Sequence, residues 1–442
     1  MTSSLIQIGK SGAMAARSAL ELTAQNIANA SNPDYARRSL SLEEVASRGS
    51  IGFEPGGVLS GVRPDSVLRT QSVFLQNEAR RTSGDLARAQ AELVGLTNAE
   101  SAVEQAGIYP AIVDLEASLS RLASDPLSGP LRAAVLEDAD RLSQTFRIAS
   151  DGLDVATGDL RFQAVAGVDQ ANLIAAELAR TNVSIARSKS GSSQMAVLHD
   201  QRDALLRDLS GVVGTNASFD GLGRVSVQLD GQPLVSGAQA GVIALADNPD
   251  GSFTLSVNGT DVALASGSIL GRSQANQALT DLRGELDTLA ASVITTLNAA
   301  QASGSAADGS AGQPFLTGTG ARDISVALTN TNQIATAAAG SPAGSRDISN
   351  LQALRDALSN GGPASEADTL LFNLSSAISA RSVTRDALQT ISDTAQIALT
   401  SETGVDLDQE ATNLLRYQQA FQANSRVIQA AADIFDTLLG IG

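Results

Sequence analysis

Residues 404–442 read GVDLDQEATNLLRYQQAFQANSRVIQAAADIFDTLLGIG. Leu407, Leu414, Phe421, Ile428 and Phe435 recur at seven-residue intervals, with Ala411, Gln418, Ser425, Ala432 and Leu439 as a second row four residues on. A proline-free heptad pattern of this length predicts one helix of roughly 50 Å, at 1.5 Å per residue, carrying a coiled-coil stripe. Thr403-Gly404 is a stop signal, and Asp406 and Asp408 place negative charge where a helix N-terminus favours it. Half of the seam is small or polar, so this helix is marginal alone and needs a partner.

The other chain end has the same character. Ile6, Ala13, Leu20 and Ile27 are seven apart, with Gly9, Ala16, Thr23 and Ala30 as a second row. Periodicity alone admits a short amphipathic helix lying on a globular core. The match between two heptad-like, individually weak ends favours their pairing. From Asn26 to Tyr35 the chain reads NIANASNPDY, in which Asn29, Ser31 and Asn32 can cap backbone groups and Pro33-Asp34 marks a turn. The helix is therefore expected to end near Ala30, followed by an extended segment through Arg37, Arg38 and Leu40. Gly49 to Gly61 reads as a turn-filled or β segment.

From about Pro64 helical spacing sets in, with Leu75, Ala79, Leu86, Leu93, Leu96 and Val103 on one side. A second stripe runs from Leu131 through Phe146, Leu153, Leu160, Val168 and Leu178 to Ile185, with no proline between Pro130 and Pro233. Even if Gly152 or Gly158 bends it, a helix of this length makes a rod. A third helix, Gln194 to Leu209, carries Asp200-Gln201-Arg202-Asp203. After Gly211 the period changes to two, with hairpin turns at Asp230-Gly231 and Asn258-Gly259. Helices resume at about Gln274–Ala300, Ile348–Leu358 and Ala364–Ser401. The fold class is thus mainly α with a small inserted β domain, an elongated multi-domain rod whose N- and C-terminal helices pair as a coiled coil. The expected domains are 1–45 plus 401–442 (terminal helices), 46–210 plus 272–400 (long-helix rod), 211–271 (small β domain) and 303–345 (a loop-rich, low-charge segment).

Composition narrows the chemistry. The 442 residues carry a net charge of −17, with only two lysines, Lys10 and Lys189, and no basic tract, which argues against nucleic acid and anionic membrane surfaces. Zero cysteine removes disulfides and thiol catalysis. Aromatic residues make up 3%, so cores must be built from Ala, Leu, Val and Ile. No apolar run reaches the roughly 18 residues of a membrane span, and the first residues are too polar for a secretory signal. His199, the single histidine, lies near Asp200 and Asp203 but lacks a Gly-x-Ser-x-Gly partner, and reads as a solvated or helix-packed residue. Asp138/Asp140 and Asp406/Asp408 are two apart and face different directions on helices. With one histidine and no nucleotide fingerprint, no catalytic, metal or cofactor residues are assigned.

The two ends then carry a resemblance. Residues 20–35, LELTAQNIANASNPDY, resemble the N-terminal signature Asn-Asn-Ile-Ala-Asn-x-x-Thr-Pro-Gly-Tyr of the bacterial flagellar axial proteins of rod, hook and junction. Residues 415–428, with Tyr417, Gln418, Gln419 and Asn424, followed by Asp436 to Leu439, are similar to that family's C-terminal end. Leu198–Leu209, Gly231–Gly237, Gln313–Gly318 and Gly404–Asp408 fit its hook–filament junction branch. The matching motif positions are Asn26, Asn29, Pro33, Tyr35, Tyr417, Gln418, Gln419 and Asn424. Asp34 departs from the family's glycine and would have to make a turn in left-handed geometry. The small β region implies a reduced outer domain. The resemblance implies a structural, non-enzymatic protein, exported by the flagellar apparatus to the extracellular flagellum at the hook–filament junction. It would assemble with copies of itself in a helical lattice, with hook protein on one side and a second junction protein or filament on the other. An export chaperone would cover the C-terminal helix, and no cofactor, nucleic acid or membrane insertion is implied. Two other readings are a hook or rod protein of the same family, and a secreted enzyme carrying flagellar-type ends.

Overall fold

In the computed structural model, residues 2–46, 59–359 and 362–439 are described. The chain order is α1 (Thr2–Ala28), β1 (Arg38–Ala46), β2 (Leu59–Arg69), α2 (Val73–Ala106), α3 (Ile108–Leu122), α4 (Gly129–Arg187) and α5 (Ser193–Val212). Seven short strands follow: β3 (Asn216–Phe219), β4 (Val225–Leu229), β5 (Gln232–Ser236), β6 (Gln239–Ala240), β7 (Ile243–Asp247), β8 (Phe253–Val257) and β9 (Thr260–Val262). Then come α6 (Ser268–Ala302), the two-residue strands β10 (Gly304–Ser305), β11 (Leu316–Thr317), β12 (Ser325–Val326) and β13 (Ala337–Ala338), and α7 (Ser349–Ser359), α8 (Pro363–Thr403) and α9 (Leu407–Leu439).

The rod is built on α4, whose 59 residues span about 90 Å. Gly152 and Gly158 lie inside it without breaking it. Gly152 instead lets α2 approach, since a Cβ there would lie 2.8 Å from the Ala102 methyl. The first half of α4 packs with α2, α3 and α6 around Leu142, Phe146 and Leu153, all fully buried. Its second half, with α5, backs two antiparallel sheets, β3-β4-β5-β6 and β7-β8-β9, around a separate core that includes Leu178, Leu209, Val227 and Leu255. Asp230-Gly231 and Asn258-Gly259 make the hairpin turns, with positive φ at all four residues.

Residues 303–345 hold loops and two-residue strands that pack onto the helical core. Phe315, Ile324 and Ile334 are fully buried in the helical core. Buried Arg132 donates to the Pro126, Thr331 and Ile334 carbonyls at 2.6, 3.2 and 2.9 Å. Helix does not begin at Pro64. That residue lies in β2, which pairs antiparallel with β1, at a register shift between Ser41 and Leu42. A bulge is where a strand tolerates proline. The glycine-rich stretch expected to be turn or β falls mostly at 47–58, outside the described residues.

Helix and strand are joined by one repeated device. Asn172 and Asn182 on α4 and Asn298 on α6 each donate to the carbonyl and accept from the N–H of one strand residue, as a neighbouring strand would. The strand residues are Ile243 (2.9 and 2.8 Å), Val225 (2.8 and 2.8 Å) and Leu316 (2.8 and 2.9 Å). Asn182→Ala leaves two buried backbone groups of Val225 unpaired, and a loss of about 1–3 kcal/mol is expected in urea unfolding followed by circular dichroism. A loss below about 0.5 kcal/mol would show that the clamp contributes nothing beyond an ordinary surface change.

Candidate functional site

The same device opens the joint between the terminal helices and the rod. Asn26, 1% exposed in the last turn of α1, donates through Nδ2 to the Arg38 carbonyl at 2.8 Å. Its Oδ1 accepts from the Arg38 N–H at 3.1 Å and the Tyr35 hydroxyl at 2.8 Å. Asn29 closes the helix end by donating to the Gln25 carbonyl. The turn through Pro33 is made by Asn32, whose Oδ1 accepts from the Asp34 N–H at 3.1 Å. Among the described residues only Asp230 and Asn258 are non-glycines with positive φ. Asp34 therefore does not replace glycine in left-handed geometry; its carboxylate pairs with Arg207 on α5. Burial pushes the Tyr35 phenol up, the nearby Arg38 guanidinium opposes it, and Asp200 and Glu410 add to the rise. Tyr35 thus stays a donor to Asn26.

Arg38 and Arg69 face each other across the β1–β2 ribbon and so reach one carboxylate. Arg38 Nη2 lies 2.5 Å from Asp200 Oδ2 and Arg69 Nε 2.7 Å from Asp200 Oδ1. Arg69 Nη2 meets Asp203 at 2.8 Å, Arg202 meets the same carboxylate at 2.6 Å, and Gln76 donates to it at 2.9 Å. Asp200 and Asp203 lie three apart on α5 and share a face. Burial lowers the pKa of Arg80 and Arg202, both of which lie over the Phe219 ring, and Asp203 opposes the fall. His199 lies 3.3 Å from the Leu222 carbonyl, beside Gly223, whose φ is +79° and where a Cβ would lie 2.7 Å from Nε2. Burial and Arg202 hold the imidazole below its ordinary pKa. It packs the β3–β4 turn.

The next residue back ties in the C-terminal side. Arg37 donates its N–H to the Thr403 carbonyl at 2.8 Å and its Nε to buried Glu410 at 2.8 Å. Asp406 starts α9 by accepting from the N–H groups of Asp408 and Gln409 at 2.9 and 3.1 Å. Residues 26–38 therefore bind α1, the ribbon, α5 and the α8–α9 corner into one unit.

Beyond the joint, α1 and α9 lie side by side. Gly9 and Gly12 allow the approach: a Cβ at Gly9 would lie 2.8 Å from Ile428 Cγ1, and one at Gly12 would strike the Asn424 amide. Gly9, Ala16 and Thr23 are buried, whereas Ile6, Ala13, Leu20 and Ile27 are half-buried at the edge. The second row, not the first, is the centre, because the β-ribbon covers α1 on another side. On α9, Leu414 and Ile428 are half-buried, but Leu407, Phe421 and Phe435 are exposed. The companion positions fall one residue earlier than expected. Glu410 and Ala431 are buried and Tyr417 and Asn424 half-buried, while Ala411, Gln418 and Ala432 face solvent. Leu439's side chain lies outside the described residues. Gln419 is exposed, and Tyr417 stacks against Arg416 at 4.9 Å. Among the described residues no group of three or more His, Cys, Asp or Glu is placed to hold a metal ion, and no helix is long and apolar enough to cross a membrane.

Sequence reading missed Arg37, Arg38, Arg69 and Glu410. The Asp200/Asp203 spacing hinted at a shared face, but their partners lie 131 to 162 positions away. Removing the charge of Asp200 leaves buried Arg38 without a carboxylate and Arg69 with Asp203 alone, so Asp200→Asn is expected to cost about 3–5 kcal/mol. Glu21→Gln, at the exposed Arg17–Glu21 pair, should stay within about 0.5 kcal/mol. Equal small losses in the two variants, measured by urea unfolding, would contradict the hub.

Comparison with known proteins places this architecture. Residues 96–316 match the family described as flagellar hook-associated protein FlgK helical domain, and residues 395–441 match flagellar basal body rod FlgEFG protein C-terminal. The chain is 25% identical to flagellar hook-associated protein 1 of Escherichia coli (strain K12), over 99% of this chain and 100% of the relative. The alignment, 552 positions, is longer than the chain, so that relative carries segments absent here. Identity to the Bacillus subtilis protein of the same name is also 25%, over 97% and 96% of the two chains. The hook junction protein FlgK of Burkholderia pseudomallei shares the fold, with a TM-score of 0.65 at 15% identity over 74% of this chain and 100% of that one. The chain belongs to the flagellar hook-associated protein FlgK family, structural components of the bacterial flagellum.

Proposed function

We propose that this chain forms the segment between hook and filament, exported through the flagellar apparatus and assembled outside the cell as a tubular lattice of its own copies. Hook protein would lie on one side and a second junction protein or filament on the other. The observation that carries this is the apolar surface that the terminal pair leaves uncovered. Leu407, Leu415, Phe421, Ile434 and Phe435 of α9 are exposed, along a helix whose neighbour is α1. Apolar side chains left exposed along a two-helix pair are stabilised when further helices pack over them. In this reading 1–45 with 401–442 is the assembly domain, 46–210 with 272–400 the rod and 211–271 the outer β domain; 303–345 belongs to the rod's core. A chaperone would cover the α9 stripe before export.

The test is the double variant Phe421→Asp, Phe435→Asp. Both side chains are solvent-exposed, so thermal unfolding of the free chain should be unchanged. Immunogold labelling of isolated flagella should find wild-type chain at the hook–filament boundary and no variant, and cells carrying the variant should lose filaments and motility. Normal filaments on variant cells, or wild-type label along the whole hook, would overturn the proposal.

A further inference from the structure

Unpaired cations are scarce on this chain, which has 47 carboxylates to 30 lysines and arginines. Arg161, Arg180, Arg224 and Arg322 each hold a carboxylate, as the exposed arginines of the rod and β domain do generally. Outside the terminal pair, only Arg187 and Lys189 are exposed with no ion pair among the described residues. Both stand on the corner where α4 ends and α5 begins. Gly191, at φ +68°, makes the turn, and its carbonyl accepts from the Val67 N–H of β2 at 2.7 Å, which pins the corner to the ribbon. Of the carboxylates lining the cleft beside it, Asp220 is taken by Arg224, and Asp65 accepts from the Ser66 hydroxyl at 3.2 Å. Two cations thus stand out from the corner against one carboxylate that has no cation of its own.

A groove of about 700 Å³ between α6 and α8 has the opposite chemistry. Asp281 and Glu285, four apart on α6, share a face, and Glu366 of α8 lines the other wall. All three are exposed, and none has an ion pair among the described residues. The hydroxyls of Thr280, Thr288 and Thr369 donate to the carbonyls of Asn276, Gly284 and Ser365 at 3.0, 2.8 and 2.8 Å. Their protons are therefore spent within their own helices, and the oxygens they turn to the groove are acceptors. Among the described residues no arginine or lysine lines the groove, and buried Leu289 and Leu370 form an apolar floor. Carboxylates alone would not choose an occupant on so acidic a chain. A concave wall of acceptors over an apolar floor does, because it suits a donor-only head on an aliphatic stem, the chemistry of lysine and arginine.

The corner and the groove of one copy cannot meet. Arg283, between the two acidic residues of α6, pairs with Asp154 of α4, and the 33 residues of helix from Asp154 to Arg187 span about 50 Å. We propose that the α4–α5 corner of one copy docks in the α6–α8 groove of the next. Arg187 and Lys189 donate to Asp281, Glu285 and Glu366, and their stems lie over Leu289 and Leu370. Contact between two different surfaces is heterologous, so copies offset by about 50 Å continue along a tube instead of closing as a dimer. This rests on the assembly reading above, and supplies an axial contact for it.

Lys189 is one of only two lysines, so a zero-length carbodiimide, which joins an amine to a carboxylate in contact with it, reports the docking with little background. In isolated flagella, peptide mass spectrometry should find Lys189 amide-linked to Asp281, Glu285 or Glu366, a link that one copy cannot make with itself. Lys189→Arg should remove the link and leave incorporation unchanged. Lys189 unlinked, or linked only elsewhere, in flagella that contain the chain would overturn the docking while leaving assembly intact. Wild-type chain missing from flagella would overturn the assembly reading, and the docking with it. A charge exchange gives an independent measure. Arg187→Glu with Lys189→Glu should lower incorporation about fivefold, as should Asp281→Lys with Glu285→Lys, and all four together should restore it. These side chains are exposed, so thermal unfolding of the free chain should not change. Wild-type incorporation of either pair alone, or no recovery in the combination, would overturn the contact.

Discussion

The rest of the molecule depends on how Asn26 holds Arg38. The amide of Asn26 fixes the main chain of Arg38, and the guanidinium of Arg38 is thereby delivered to Asp200. One residue thus fixes the end of α1 at its backbone and α5 at its side chain. Arg37, pointing the other way, takes the α8–α9 corner through Thr403 and Glu410. Without this joint the terminal pair would swing freely, and a lattice built from it would have no defined relation to the rod. Buried charges are costly to strand, which makes the joint rigid without a large apolar contact.

The amide clamp recurs where helices meet strands, at Asn172, Asn182 and Asn298. It suits a chain with few aromatic side chains. Alanine-rich surfaces such as Ala171, Ala175 and Ala179 pack closely but bury little area each. A side-chain amide that satisfies both backbone groups of one strand residue adds specificity where packing alone leaves register loose.

Local pattern made much of the fold legible. The period of α4, the Thr403-Gly404 break, the two Asx-Gly hairpins and the weak heptads at both ends could each be read within a few residues of sequence. The failures share one physical origin. Which side of a heptad faces its partner depends on what else covers the helix, and α1 is covered by both α9 and the ribbon. The seam therefore turned towards Gly9, Ala16 and Thr23, and on α9 towards Glu410, Tyr417, Asn424 and Ala431. Pro64 argued for a helix start because its bulge needs the partner strand to be visible. The joint itself was hidden, since Arg38, Arg69 and Asp200 meet only in three dimensions. The family motif marked its place without disclosing its chemistry.

The central claim is that the joint is formed in the free chain, while the terminal helices beyond it are completed only by neighbours. Hydrogen exchange of the purified chain and of the same chain in isolated flagella tests this directly. The amides of Arg37, Arg38, Val67 and Thr70, all hydrogen-bonded at the joint, should be protected in both states. Those of α1 before Ala19 and of α9 after Tyr417 should exchange rapidly in the free chain and slow by orders of magnitude in flagella. Equal protection of α1 and α9 in both states would contradict the account, as would rapid exchange at Arg38 in the free chain.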